Sequence, residues 1–293
     1  MATLMATGFA HPELIVETDW LARHMDDPKV CVVDCTTHLL PSPGNVLYDI
    51  KPGREEFERA HIPGAVFLDM DHEVSAPHPV LHFMLPEPDA FSDAMARVGI
   101  EDDTLVVSYS TANHWWATRL WWMLRVFGHE RAAVLNGGFQ KWQREGRASQ
   151  AGSSAIRPRA QFTSRYHPEY VANKDEVHAA IGVQNVCTVN ALRPEQHAGT
   201  GGTSYGRLGH ISGSVNIAAV QHIGPDNCLK PSEELRRIFA PALAAPQVIT
   251  YCGGGIAATS VALVLTMFGH PDVKVYDASL TEWAADPSLP MET

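Results

Sequence analysis

The sequence predicts an α/β protein with two tandem domains of one fold, each a central, mostly parallel sheet with helices on both faces. Three observations lead to this fold class. The chain has 293 residues, more than one average domain needs. It contains a long internal repeat, and short apolar runs alternate with helix-like segments. That alternation favours parallel sheets, because neighbouring parallel strands must be joined by a crossover, usually a helix.

The internal repeat pairs residues of the two halves at a nearly constant spacing. The segment HIPGAV at residues 61–66 recurs as HISGSV at residues 210–215, 149 positions later. Farther along, the spacing is 142 and then 141 residues, in the pairs Ser110 with Cys252, Phe127 with Phe268, and Trp142 with Trp283. Matches in one order and near one spacing indicate a duplicated fold.

Domain limits and strands follow from the same pattern. We expect domains at residues 1–146 and 166–293, joined at 147–165 by a linker rich in Ser, Gly, Ala and Arg. Each half contains three apolar, β-branched runs that predict strands. These runs are residues 30–33, 105–107 and 134–135 in the first half, and 186–189, 248–250 and 273–275 in the second.

The predicted helices carry apolar stripes at helical spacing. In the first half, Trp116, Leu120, Met123 and Phe127 share one face. We interpret this stripe as a core face rather than an aromatic binding platform. Small and apolar residues repeat the face in the second half, at Ala258, Val261, Ala262, Leu265 and Phe268.

Composition argues against several function classes. The formal net charge is −11, so the chain lacks the basic surface that nucleic-acid binding requires. No apolar run approaches the length of a membrane span, and residues 1–16 carry no basic residue of a leader sequence. We therefore expect a protein of the cytoplasm, without a nucleic-acid or membrane partner.

The cysteines and histidines do not predict a disulfide framework or a metal site. Five cysteines form no CxxC pair, which fits a reducing compartment. His72, His78 and His82 lie in a Pro-rich segment without the spacing of a zinc site. No motif implies a cofactor.

The chemical centre is predicted at the turn after the second strand-like run of the second half. Here Cys252 precedes three glycines, Gly253, Gly254 and Gly255, and then Ile256 and Ala257 lead into a helix. Backbone N–H groups at such a turn form an anion-binding cup, and a helix N-terminus favours the thiolate that nucleophilic chemistry needs. The glycines leave room for a second sulfur or a substrate. The first half has Ser110 at this point and no glycines, so we expect its domain to be inert.

These motifs resemble the tandem rhodanese family, which includes thiosulfate and 3-mercaptopyruvate sulfurtransferases. The resemblance covers nearly the whole chain and is carried by residues 54–57 (REEF) with 61–65 (HIPGA), by 209–216 (GHISGSVN), and by the loop that opens at Cys252. It implies that Cys252 takes sulfane sulfur from a donor, holds it as a persulfide and passes it to cyanide, a small thiol or a thioredoxin-like protein.

The resemblance also suggests how the donor is chosen. Thiosulfate enzymes typically carry basic residues in this loop, and mercaptopyruvate enzymes carry Gly-Ser-Gly. With three glycines, the loop is closer to the mercaptopyruvate type, although it lacks the serine that relays a proton with an aspartate, for which Asp71 is the match. A donor carboxylate would be held by arginine, with Arg207 favoured over Arg193.

Two other functions compete with this interpretation. Phosphatases with a Cys-x5-Arg loop share the architecture, but position 258 is alanine, so the arginine that clamps a phosphoryl group is missing. A non-catalytic binding or sulfur-carrier module is the second alternative, because many rhodanese-like domains have lost the cysteine. Retention of Cys252 opposes it.

Overall fold

Two five-stranded sheets and two short antiparallel ladders make up the β structure. The computed structural model describes residues 8–42 and 47–293. The prediction that residues 1–16 are not a leader sequence therefore falls partly, at residues 1–7, outside the described residues. The strands are β1 (Ile15–Val16), β2 (Val30–Asp34), β3 (Thr37–Leu40), β4 (Asp49–Pro52), β5 (Val66–Phe67), β6 (Leu105–Tyr109), β7 (Ala132–Leu135), β8 (Val171–Ala172), β9 (Val186–Asn190), β10 (His210–Ile211), β11 (Val215–Asn216), β12 (Gln247–Tyr251), β13 (Val273–Tyr276) and β14 (Met291–Glu292).

Helices connect these strands and cover the sheets. They are α1 (Thr18–His24), α2 (Arg54–Arg59), α3 (Pro88–Arg97), α4 (His114–Val126), α5 (Gly138–Arg144), α6 (Lys174–Ala180), α7 (Pro194–His197), α8 (Ser232–Ile238), α9 (Ala240–Leu243), α10 (Ala258–Met267) and α11 (Ser279–Trp283). Among the described residues, no helix is long and apolar enough to cross a bilayer.

The two large sheets have the same topology. The first has the order β1-β7-β6-β2-β5, and the second has the order β8-β13-β12-β9-β11, with every neighbouring pair parallel. Each of the six apolar runs predicted as a strand forms one, in β2, β6, β7, β9, β12 and β13. The predicted fold class and the duplication are thus confirmed.

Alternate residues of the first sheet enter different parts of the core, as buried parallel strands require. Val30 and Val32 pack with Phe139 and Trp142 of α5 on one face. Cys31 and Val33 join the larger apolar cluster on the other face, which continues through α4 and α10 into the second sheet. Both stripes predicted on these helices are part of that cluster, and in α4 the stripe is at most 1% exposed.

The domains meet at the equivalent helices α4 and α10. The hydroxyl groups of Thr118 and Thr259 are 2.7 Å apart in this contact. These two threonines are 141 positions apart, which is the repeat spacing, so the helices cross near a pseudo-two-fold axis. Residues 147–165 contain no helix or named strand, and Gln150 forms a single bridge to His61. The proposed domain limits remain a prediction.

Candidate active site

Cys252 is the first residue after β12, at the carboxyl end of the second sheet. β12 lies between β9 and β13, and the carboxyl ends of central parallel strands are where α/β proteins form ligand sites. Cys252 is 2% exposed. Residues 253–257 connect it to α10 and form the loop that we call the cysteine loop.

Ser279, the first residue of α11, fixes the backbone of the cysteine loop. Its hydroxyl oxygen accepts hydrogen bonds from the Cys252 amide at 3.0 Å and the Gly255 amide at 3.1 Å, and the hydroxyl donates to the Tyr276 carbonyl at 2.7 Å. Thr281 adds two bonds to the Gly253 carbonyl, from its amide at 2.9 Å and its hydroxyl at 2.8 Å. The turn after β13 therefore holds the loop in one conformation.

The amides of the loop differ from the predicted cup in one respect. Because the Gly255 amide is bonded to Ser279, it is not available to a substrate. Within residues 8–42 and 47–293, the amides of Gly253, Gly254, Ile256 and Ala257 have no hydrogen-bond partner. The anion-binding capacity of the loop lies in these four groups.

Each glycine of the loop has a different reason to lack a side chain. A Cβ at Gly253 would overlap the ring of Tyr205, and a Cβ at Gly255 would overlap the Asp277 carbonyl. Gly255 also has a φ of +74°, which favours glycine. A Cβ at Gly254 would meet only the Tyr48 hydroxyl, 3.7 Å away. Of the three glycines, Gly254 is therefore the one at which a side chain would make only an ordinary van der Waals contact.

A buried arginine from the first domain donates a hydrogen bond to the backbone of the cysteine loop. Arg119 of α4 is 1% exposed, and its Nη1 donates to Asp277 Oδ1 at 2.5 Å and to the Gly255 carbonyl at 3.2 Å. Its Nη2 donates to the Phe83 carbonyl. The second Asp277 oxygen accepts from the Leu85 amide at 2.9 Å. Both ions are well bonded, which is the condition for a buried pair to be tolerated.

Two tyrosines, one from each domain, lie near Cys252. Burial raises the pKa of Tyr48 above its usual range, and the negative charges of Cys252 and Asp71 raise it further. Burial likewise raises the pKa of Tyr205, with Cys252 and Tyr48 as further causes. Both hydroxyl groups are therefore neutral at physiological pH and can donate a hydrogen bond to an anion.

Asp71, the aspartate predicted for a proton relay, is connected with the site by the effect of its charge on Tyr48. Its backbone amide donates to Asp69 Oδ1 at 3.0 Å in a turn that His72 shares. Its side chain is 21% exposed and lies 3.8 Å from His72 Nε2. Its negative charge is the smallest of three causes that raise the pKa of Tyr48, after burial and Cys252, and its role in the site stays a prediction.

Both domains match a single known domain type. Residues 17–145 and 175–286 each match the Rhodanese-like domain. The chain belongs to the rhodanese family.

Relatives of this rhodanese extend over nearly its full length. It is 33% identical to 3-mercaptopyruvate sulfurtransferase of Escherichia coli (strain K12), covering 94% of this chain and 97% of the relative. It is 32% identical to thiosulfate sulfurtransferase of Rattus norvegicus, covering 92% and 91%. The crystal structure of SseA from Escherichia coli, a 3-mercaptopyruvate sulfotransferase, superimposes with a TM-score of 0.77 at 31% identity, covering 91% of this chain and 98% of that one. The prediction of an enzyme of the sulfurtransferase class is confirmed.

The two arginines predicted to hold a donor carboxylate occupy different environments in this rhodanese. The Arg207 guanidinium donates to four carbonyls, those of Trp283, Ala284, Asp286 and Leu289, at 2.8–3.2 Å. Four hydrogen bonds thus tie Arg207 to carbonyls within residues 283–289, and the preference for Arg207 over Arg193 stays a prediction. Arg193 is exposed, directly precedes α7 and forms no ion pair within the described ranges.

Sequence reasoning missed Ser279, Arg119, Tyr48 and Tyr205. Arg119 had a signal, because it is a lone charge within an apolar helical stretch. Ser279 had a weaker one, since the repeat places it opposite Gly138. Tyr48 and Tyr205 lie in loops without a recognisable pattern. In the described part of the chain, no three metal-binding side chains come together, at His72, His78 and His82 or elsewhere.

Proposed function

We propose that this rhodanese transfers sulfane sulfur through a persulfide on Cys252. The observation that carries the proposal is the cysteine loop, where a buried Cys252 lies beside four unpartnered backbone amides and two neutral tyrosine hydroxyls. These groups stabilise negative charge on a thiolate, on the sulfur added to it and on a departing group. In the first step the Cys252 thiolate attacks the donor sulfur, an S–S bond forms, and the bond to the donor's remaining group breaks with its electron pair.

We propose 3-mercaptopyruvate as the donor, with thiosulfate as the alternative. The cysteine loop contains no lysine or arginine to pair with the dianion thiosulfate. Neutral hydroxyl groups and amides suit the ketone and enolate oxygens of mercaptopyruvate. Arg193 is the better candidate to attract the donor carboxylate, because Arg207 is occupied by carbonyls. Asp71 acts indirectly, by favouring the protonated form of Tyr48.

In the second step a thiophilic acceptor takes the outer sulfur. Cyanide attack on the persulfide forms thiocyanate and returns the Cys252 thiolate, and a small thiol or a thioredoxin-like dithiol would accept sulfur in the same way. We place this chemistry in the cytoplasm, where thiols are kept reduced. All five cysteines are unpaired, which supports that location. Cell fractionation that found the protein only in an oxidising compartment would contradict it.

Peptide mass spectrometry tests the function directly. The purified protein is mixed with 3-mercaptopyruvate or with thiosulfate, and the Cys252 peptide is measured for one added sulfur before and after cyanide. We expect addition from 3-mercaptopyruvate, clearance by cyanide, and no addition in the matched variant Cys252→Ser. If neither donor adds sulfur while Cys252 can still be alkylated, the chain is a non-catalytic module and the proposal fails.

A further inference from the structure

We propose that the Tyr48 hydroxyl protonates the carbon that leaves when sulfur passes from 3-mercaptopyruvate to Cys252. This inference rests on the proposed function and adds a catalytic residue to it. Tyr48 belongs to the first domain, just before β4, so the reaction would require both domains. The first domain, which lacks the equivalent of Cys252, would then supply a reacting group as well as a wall of the site.

The position of Tyr48 is the first observation. Its hydroxyl oxygen lies 3.7 Å from where a Cβ of Gly254 would be, two residues after Cys252. The other two loop glycines are covered by Tyr205 and by Asp277, so Gly254 is the loop glycine that the Tyr48 hydroxyl faces. A donor with its sulfur on Cys252 would place its adjacent carbon beside that hydroxyl.

The availability of the hydroxyl is the second observation. Among residues 8–42 and 47–293, no group forms a hydrogen bond with Tyr48 Oη. Its proton is therefore not committed to a neighbour. Burial, and after it the negative charges of Cys252 and Asp71, raise the pKa of Tyr48 and keep the group protonated, as a proton donor must be before the reaction.

The step balances with a net transfer of one proton, from the S–H group of the donor to its CH2 carbon. The Cys252 thiolate attacks the sulfur of HS–CH2–CO–COO⁻, the S–S bond forms, and the C–S bond breaks to leave the enolate of pyruvate. Tyr48 gives its proton to the CH2 carbon, and the persulfide S–H returns a proton to the tyrosinate. The products are the Cys252 persulfide anion and pyruvate. No proton is needed when cyanide removes the outer sulfur as thiocyanate.

The test compares two half-reactions in the wild type and in Tyr48→Phe, which keeps the ring and removes the hydroxyl. Single-turnover loading with saturating 3-mercaptopyruvate is followed by mass, and discharge of the loaded protein by cyanide is followed as thiocyanate. General acid catalysis typically contributes about 10²–10⁴-fold, so we expect loading to slow by at least about tenfold and discharge to change by less than about twofold. The apparent KM for the donor should stay close to that of the wild type.

A rescue variant separates chemistry from packing. Gly254 has no positive φ, and a Cβ there would meet only the Tyr48 hydroxyl at the ordinary van der Waals distance of 3.7 Å, so Gly254→Ser can be accommodated. In the double variant Tyr48→Phe with Gly254→Ser, a serine hydroxyl replaces the missing donor, and loading should recover by at least about threefold over Tyr48→Phe.

Three results would overturn the role of Tyr48: loading by Tyr48→Phe at the wild-type rate, equal slowing of loading and discharge, or loading by the double variant no faster than by Tyr48→Phe. Failure of the wild type to load with 3-mercaptopyruvate would instead contradict the proposed function.

Discussion

The cysteine loop and its counterpart in the first domain begin alike and end differently. Both follow a central strand whose last residue is a tyrosine, Tyr251 or Tyr109, with its hydroxyl near a backbone amide of the repeated HI motif. In the first domain α4 begins at His114, and the 141-residue spacing places the equivalent residue at Gly255. Helix α10, however, begins only at Ala258. The cysteine loop therefore replaces what is the first helical turn in the first domain.

The hydrogen bonds of the two loops differ accordingly. In the first domain, the Thr111 amide donates to Thr36 Oγ1 at 2.9 Å, and the Ala112 amide donates to Ser110 Oγ at 3.1 Å. The Gln140 side chain binds the Thr111 carbonyl at 2.5 Å. Side chains thus satisfy the amides of Thr111 and Ala112, whose counterparts at Gly253 and Gly254 have no partner within the described residues. The two loops therefore differ in their open backbone amides as well as in the thiol.

The largest effect that we predict concerns the support of the loop by Arg119. The equivalent of Arg119 in α10 is Ser260. The Ser260 hydroxyl bonds locally to the Ala257 carbonyl, whereas Arg119 binds Asp277 across the domain interface. Replacing Arg119 by alanine leaves Asp277 buried and unpaired. We expect the free energy of unfolding to fall by about 3–5 kcal/mol in urea denaturation.

A surface pair provides the control for Arg119. Arg97 and Asp93 form an exposed ion pair within α3, so Arg97→Ala should cost at most about 1 kcal/mol. Adding Asp277→Asn to Arg119→Ala should recover part of the lost stability, because it removes the stranded charge. Equal losses from Arg97→Ala and Arg119→Ala would show that the buried pair has no special role.

The fold could be predicted further from the sequence than the site. The six strand runs and the α4 stripe are local patterns that agree with the tertiary packing. The repeat indicated that both halves have the same fold. Cys252 carried its own signal in the glycines that follow it. Ser279 and Arg119 could not be found in this way, because they reach the loop from 27 and 133 residues away. Arg207 has the right residue type, but its guanidinium binds backbone carbonyls. No sequence pattern reveals these bonds.

The ends of β2 and β9 offer a second comparison, because Asp34 and Asn190 are equivalent. Asp34 pairs in register with Tyr109, and Asn190 with Tyr251. Asp34 Oδ1 accepts from the Thr36 amide at 2.8 Å, and Asn190 Oδ1 accepts from the Leu192 amide at 2.9 Å. Asp34 is fully buried, its Oδ2 has no partner in the described structure, and burial raises its pKa to about 6.

This raised pKa predicts a loss of stability with rising pH. The folded state holds the Asp34 proton more tightly than the unfolded state does, so the stabilisation is full below about pH 4 and is lost between about pH 4 and pH 6. Asp34→Asn removes this loss. We therefore expect the free energy of unfolding of Asp34→Asn, measured relative to that of the wild type, to be about 1–3 kcal/mol higher at pH 7 than at pH 4. Urea denaturation at both pH values measures the difference.

The reciprocal variant sharpens the test. Asn190→Asp places a carboxyl group in the equivalent buried position, so it should destabilise the protein more at pH 7 than at pH 4. If Asp34→Asn and the wild type show the same pH dependence, the pKa of Asp34 is the same in the folded and unfolded states and the comparison of the two strand ends is wrong.

The smallest predicted effect lies in the turn that holds the cysteine loop. Ser279 has a φ of +53°, and its counterpart Gly138 has a φ of +56°. An L-residue in this left-handed region costs about 1–2 kcal/mol, which glycine avoids. The second domain keeps the strained serine, and its hydroxyl is what binds the Cys252 and Gly255 amides.

Two variants of Ser279 separate strain from hydrogen bonding. Ser279→Ala loses the hydroxyl and keeps the strain, whereas Ser279→Gly loses both. Because glycine also gains entropy in the unfolded chain, we expect Ser279→Gly to be only about 1 kcal/mol more stable than Ser279→Ala in urea denaturation. Both should load sulfur from the donor about tenfold more slowly than the wild type, since both free the loop. If Ser279→Gly loaded at the wild-type rate, the conformation of the cysteine loop would not depend on the hydroxyl, and the strain at this position would have no catalytic purpose.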